Sequence, residues 1–234
     1  MSSSDGKAAA SAHAAEVQQL EEDFERQSLE LRERVKELTC LHDLSALLRN
    51  VQQPLEQVFR EAIAIIQRSW QYPDVTYARI RLGGVDVKSE NYRKTPYRQR
   101  ATIVVARMDD GMVEVGYRRK KPEAFEGPFL EEERHLIDAI ARELAAFVEQ
   151  QQLAETQTRL ISILEATSDY TSFATPDGRI QYMNRAFRQA VGVDSQAALE
   201  DVSIPQMHPE WATRIIDEEG IPHALRMGAW SAET

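Results

Sequence analysis

The residues able to do chemistry are few and scattered. Five histidines stand at positions 13, 42, 135, 208 and 223, and Cys40 is the only cysteine. No two histidines are spaced i, i+4 as a helical metal pair requires, and one cysteine can neither close an intramolecular disulfide nor build a zinc site. There is no Walker-type loop, no Gly-rich dinucleotide loop and no Gly-x-Ser-x-Gly elbow; Gly83-Gly84 stands alone. Neither a phosphate cradle nor an activated serine is therefore encoded. The chain is read as holding no catalytic residue and no metal ligand. Cys40 reads as a small buried apolar residue near a helix junction.

What remains is a pattern of charge. The 234 residues carry 38 Asp and Glu against 28 Lys and Arg, a net charge of −10. Between Asp74 and Lys121 the balance inverts to 12 basic against 6 acidic residues, so that stretch is +6 and the rest of the chain is −16. Arg79 and Arg81 alternate with Ala78, Ile80 and Leu82, which puts them on the outer face of a strand. Residues 91–100 add Arg93, Lys94, Arg98 and Arg100, with Tyr92 and Tyr97 between them. These six cations read as a basic face for an anion or an acidic protein partner. Arginines with interleaved aromatics also suit single-stranded RNA, but the net acidity makes nucleic acid the weaker reading.

Positioning such a face takes a sheet and the helices behind it. The opening residues are rich in Ser and Ala and hold no apolar run of signal-peptide length, and no stretch is long and apolar enough for a membrane helix. Residues 1–15 are expected to be a disordered leader, and the protein to be cytoplasmic with no membrane partner. Residues 16–40 read as a coiled-coil stalk, because Phe24, Leu31, Val35 and Leu38 repeat at heptad spacing, interrupted by Ser28 and His42. Leu41, Leu44, Leu48 and Val51 continue on a seam displaced by three residues, as in a handover from a dimer seam to a domain core.

Pro54 opens a second helix running to about Arg68. Thr76–Leu82 and Val85–Glu90 form a hairpin through Gly83-Gly84, and a second hairpin is expected from Thr102–Arg107 and Met112–Arg118. Pro128 opens a long helix whose core face is Leu136, Ile137, Ile140, Leu144, Phe147 and Val148. Its continuation carries two competing seams. One runs through Leu144, Phe147, Gln151 and Thr158, the other through Leu153, Leu160 and Leu164. A weakly set register of that kind suits a signalling helix. The fold class is α+β, an antiparallel sheet with helices on one face.

Two resemblances follow. Residues 37–42 (Glu-Leu-Thr-Cys-Leu-His), 70–73 (Trp-Gln-Tyr-Pro), 127–130 (Gly-Pro-Phe-Leu) and 136–140 (Leu-Ile-Asp-Ala-Ile) resemble the small GAF-like domains of bacterial sensor kinases. Residues 163–169 and 177–187, with Asn184 set to cap the helix that follows, closely resemble the opening of a PAS domain. The resemblance implies a GAF-like domain over 41–148, a signalling helix over 149–164 and the N-terminal part of a PAS domain over 165–234. A PAS domain closes its sheet with three further strands, so that last part is expected to be incomplete.

The resemblance also implies a regulatory role: a homodimeric input module of a histidine kinase or cyclic-dinucleotide enzyme, passing its signal through helix register to a downstream transmitter. No cofactor is assigned. A flavin–cysteine adduct needs a cysteine in the PAS helices and a bilin needs one in the GAF-like domain, and Cys40 serves neither. His208 and His223 fall where some PAS relatives ligate haem, yet both read as structural. His135 lacks the Glu-Leu-Arg-x-Pro sequence that follows a phospho-accepting histidine. A stand-alone adaptor and a fragment of a larger enzyme are the alternative readings.

Overall fold

The structure, a computed structural model, describes residues 3–175, 178–193, 199 and 207–231. Side chains of the first helix are described from residue 18, without 21, 22, 25, 29 and 30. The chain divides into two compact units, Met1–Ala154 and Glu155–Thr234, so the division falls at 154/155. No described helix is long and apolar enough to cross a membrane.

In the first unit, α1 spans Ser3–Leu47. No Gly or Pro interrupts residues 7–53, and Ala, Leu, Glu, Gln and Arg all favour the helix. Its backbone begins inside the segment expected to be a disordered leader. The helix has two apolar faces. Cys40 and Leu44, with Leu48 just past the helix end, are buried in the core, whereas Phe24, Leu31, Val35 and Leu38 are exposed. The displaced seam is thus the intramolecular one. Gln52, Gln53 and Pro54 lead into α2 (Leu55–Ser69), whose Val58, Phe59, Ala62, Ile63 and Ile66 are buried at helical spacing. A single 3-10 turn, Pro73–Val75, leads into the sheet.

The sheet is antiparallel with order β2-β1-β4-β3: β1 Thr76–Leu82, β2 Val85–Lys88, β3 Arg98–Ile103 and β4 Gly111–Tyr117. Gly83 and Gly84 have φ of +59° and +82°, the left-handed pair that a tight hairpin turn demands. β3 lies about four residues before its expected place. Its inward residues are Gln99, Ala101 and Ile103, and its register pairs Arg98 with Gly116 and Ile103 with Gly111. The β-branched run Thr102–Val105 looks like the heart of the strand, but β3 ends on Thr102 and Ile103; Val104 is exposed and Arg107 turns to φ +65°, so the chain from Val104 onward forms the hairpin loop. Arg98 and Arg100 are accordingly strand residues.

The helix that follows the sheet, α3, spans Glu131–Ala166. All six expected core residues of α3 are buried. They join α1, α2 and the inner sheet face in one hydrophobic cluster. Burying each large side chain removes on the order of 2 kcal/mol worth of apolar surface from water. Two relations give the direction of α1 beside α3, one near the start of α3 and one just past the end of α1. Glu33 lies close enough to Glu133 and Tyr117 to act on both electrostatically, and Gln151 Nε2 donates to the carbonyls of Val51 and Gln53 at 3.0 Å each. Equal separations along the two chains make the helices parallel. Residues 18–32 of α1 therefore overhang the start of α3, and α3 continues past the end of α1.

In the second unit, β5 (Ser172–Ala174) pairs with β6 (Ile180–Met183) in a two-stranded antiparallel sheet. The helix α4 (Arg185–Val191) ends on Gly192 at φ +73°. α5 (Glu210–Ile215) runs through a π-helical stretch, Ile216–Gly220, into α6 (Ile221–Met227). Pro222 supplies no N–H there, one reason for the wide turn. The expected turn at Pro176-Asp177 lies outside the described residues.

Candidate functional site

The outer face of the sheet is where the sequence placed its cations, and its centre is acidic. Glu114 on β4 is fully buried and stands opposite Arg79 on β1 and Arg100 on β3. Arg100 Nε donates to it at 2.7 Å and the Tyr92 hydroxyl at 2.9 Å, with Arg98 3.8 Å away. Arg79 reaches in the other direction, donating twice to Asp86 on β2 at 2.8 and 2.5 Å. The hydrogen bond from Arg79 holds the Asp86 carboxyl below its ordinary range.

A strap, residues 89–97, crosses this face. Gly116 allows it: a Cβ there would meet the Tyr77 ring at 2.3 Å, so only glycine lets Tyr77 lie flat across β4. The Tyr77 hydroxyl then meets Thr95 Oγ1 at 3.2 Å, and its ring takes Tyr92 edge-on at 5.1 Å between centroids. Burial, aided by Glu114, raises the Tyr92 phenol. Thr95 donates onward to the Tyr117 carbonyl at 3.0 Å.

The open basic face expected from the sequence is therefore corrected. Arg79, Arg98 and Arg100 are engaged by internal carboxylates, and Tyr77 and Tyr92 cover the rest. Arg81, Arg93 and Lys94 are exposed and have no ion pair among the described residues. Alternation alone could not reveal the strap, because its contacts join positions 15–22 residues apart.

The helix seam is also redistributed. Leu144 and Phe147 are core residues of the first unit, and Gln151 binds the carbonyls after α1, so these three do not present a free stripe. Thr158 is exposed, as are Leu153, Leu160, Ile161 and Ile163. Beyond Gln152 both seams therefore face outward, Thr158 and Ile161 of the first and Leu153 and Leu160 of the second, with Leu164 half-buried.

Two polar locks were not singled out by the sequence. Glu133, 3% exposed, accepts from the backbone N–H groups of Gln71 (2.8 Å) and Leu130 (2.9 Å) and from the Tyr117 hydroxyl (2.8 Å). It ties the chain after α2, strand β4 and the start of α3 together, and burial pushes its carboxyl up. The available signal was its place at the third position of a Pro-opened helix.

The second lock lies where α3 ends. Asn184 caps α4 as expected, accepting from Phe187 N–H at 3.1 Å, but it also accepts from Thr171 N–H and donates to the carbonyls of Leu164 (3.0 Å) and Asp169 (2.8 Å). Glu165 completes it, accepting from the Tyr182 hydroxyl at 2.7 Å and from Arg185 N–H at 2.9 Å. Burial and that bond push the Tyr182 phenol up to about 12. The last turn of α3 is thereby fastened to β6 and α4.

Among the described residues no group of three or more His, Cys, Asp or Glu is placed to hold a metal. His208 is half-buried, and His135 and His223 are exposed. A shallow concavity of about 420 Å³ between α2 and β2 is lined by Ile63, Gln67, Val87 and Asn91. Compared with protein families and with curated proteins, the chain finds no match.

Proposed function

We propose that this chain is a dimeric input module of a signal-transduction protein. It joins a GAF-like sheet unit to the opening part of a PAS-like unit and leaves catalysis to a transmitter. The observation that carries this reading is the helical path through the sheet unit. α1 and α3 run parallel, each overhangs the other at opposite ends, and each overhang bears apolar side chains that its own core does not cover. Pairing those stripes between two copies buries them. A change in the sheet unit that alters how α1 sits on α3 is then handed along α3 to its fastened end at Glu165 and Asn184.

The seam is tested by single cysteines in a Cys40→Ser background. Leu153→Cys and Leu160→Cys form disulfide-linked dimers on mild oxidation, whereas Glu155→Cys and Ser162→Cys, on the other side of the helix, do not. Equal yields at all four positions, or none, contradict the reading.

A further inference from the structure

Between β4 and α3 the chain makes an excursion over residues 118–128. Its two ends are held together by the stacked rings of Tyr117 and Phe129, 4.7 Å between centroids. The excursion opens on the longest cationic run in the chain, Arg118-Arg119-Lys120-Lys121. Farther along, the Ala124 N–H donates to the Gly127 carbonyl, closing a tight turn that leaves Phe125 64% exposed. The neighbouring strap adds to the same end of the sheet. Thr95 is bonded to the Tyr117 carbonyl, so Arg93 and Lys94 emerge beside Arg118.

Of these six cations, Arg93, Lys94, Arg119 and Lys120 are exposed and carry no ion pair among the described residues. The Arg118 guanidinium donates to the Asp74 carbonyl at 3.4 Å and its backbone N–H to the Val75 carbonyl at 2.9 Å, and the Lys121 ammonium lies 4.0 Å over the Tyr72 ring. The acidic groups near these cations are Glu90, Glu114, Glu123, Glu126, Glu131 and Glu132 in sequence and Asp74 through the Arg118 bond; Glu114 is taken by Arg100. Glu126 is taken by Arg134.

We propose that this end of the sheet unit docks on the surface of an anionic lipid bilayer, with the cations against the headgroups and Phe125 in the interface. The combination of a polybasic run with an apolar tip on one protruding loop is what such a surface retains. A single nucleic-acid strand stacks on several aromatic faces in succession, and here Phe125 is exposed but Tyr72 lies under Lys121, while Tyr92 has Tyr77 at its ring and Lys88 5.6 Å above it. A folded acidic protein would need a shape to fit, and these residues line none of the three concavities described, beside residues 165–190, between α2 and β2, and at the Gly83-Gly84 turn. A fluid bilayer needs neither. The acidic remainder of the chain is no obstacle beyond the screening distance of about 8 Å at physiological salt. No spanning helix is required.

The test is co-sedimentation of the full chain with phosphatidylcholine vesicles, with and without phosphatidylserine. The expected result is binding only when phosphatidylserine is present, weakening as salt rises. Each basic residue at such a surface is worth about fivefold in partitioning, so R119E/K120E lowers binding by at least about twentyfold. Phe125→Ser lowers it separately, by less, and both variants keep the wild-type melting curve. The proposal is overturned by no phosphatidylserine-dependent sedimentation at low salt, or by binding that neither variant changes. It is equally overturned if single-stranded RNA or a poly-glutamate peptide binds more tightly than the vesicles and displaces them.

Discussion

Glu133 shows how one side chain can hold three elements. Removing it leaves two backbone N–H groups and the Tyr117 hydroxyl without an acceptor, so Glu133→Ala is expected to cost about 3 kcal/mol in denaturant unfolding. Its charge works the other way. Burial raises its pKa above the unfolded value, so the folded chain binds that proton more tightly. The stability it contributes is complete below the ordinary carboxylate range and is lost as pH rises through the raised value. Glu133→Gln should therefore gain on wild type as pH rises above the ordinary carboxylate range; a gap that stays constant contradicts the assignment. Asn184 separates its two roles differently. Asn184→Asp keeps the acceptor for Phe187 and Thr171 but loses both donations, to Leu164 and Asp169, whereas Asn184→Ala loses everything, at a cost of about 2–3 kcal/mol. Hydrogen exchange over 171–187 should rank wild type slowest, then Asp, then Ala. The cap itself was legible, because asparagine ahead of a short helix has a local reason. The donations were not, since they bind backbone 15 and 20 residues away.

At the scale of elements, period and punctuation carried most of the architecture. Gly83-Gly84 set one hairpin, Pro54 and Pro128 marked helix starts, and the displaced apolar seam on α1 turned out to be its buried face. β3 was misplaced because β-branched residues outweighed a plain alternation of Gln99, Ala101 and Ile103, which pack inward against the ladder with β4. The strap was invisible for a different reason. It exists because β4 has a glycine where Tyr77 crosses, a coincidence of two strands distant in sequence. Gly116→Ala should push Tyr77 off the face and free residues 89–97, at a cost of about 1–3 kcal/mol. Faster amide exchange confined to the strap, with the inner core unchanged, is the expected signature; unchanged exchange there would mean that Tyr77 does not hold it.

For the molecule as a whole, the opposition between acidic helices and a basic sheet needs restating. The sheet cations are largely neutralised by Glu114 and Asp86, and the free positive charge has moved to the loops at one end of the sheet. Both overhanging helices carry exposed apolar side chains, Phe24, Leu31, Val35 and Leu38 on α1 and Leu153, Leu160, Ile161 and Ile163 on α3. A monomer leaving Phe24, Leu31, Val35 and Leu38 in water has no evident use for heptad spacing, whereas a second copy gives it one. The most direct measurement is the mass of the full chain by light scattering at micromolar concentration. The account predicts the mass of two chains for wild type and of one chain for L31K/V35K, with the helical content of the variant's sheet unit retained. A one-chain mass for wild type would contradict it.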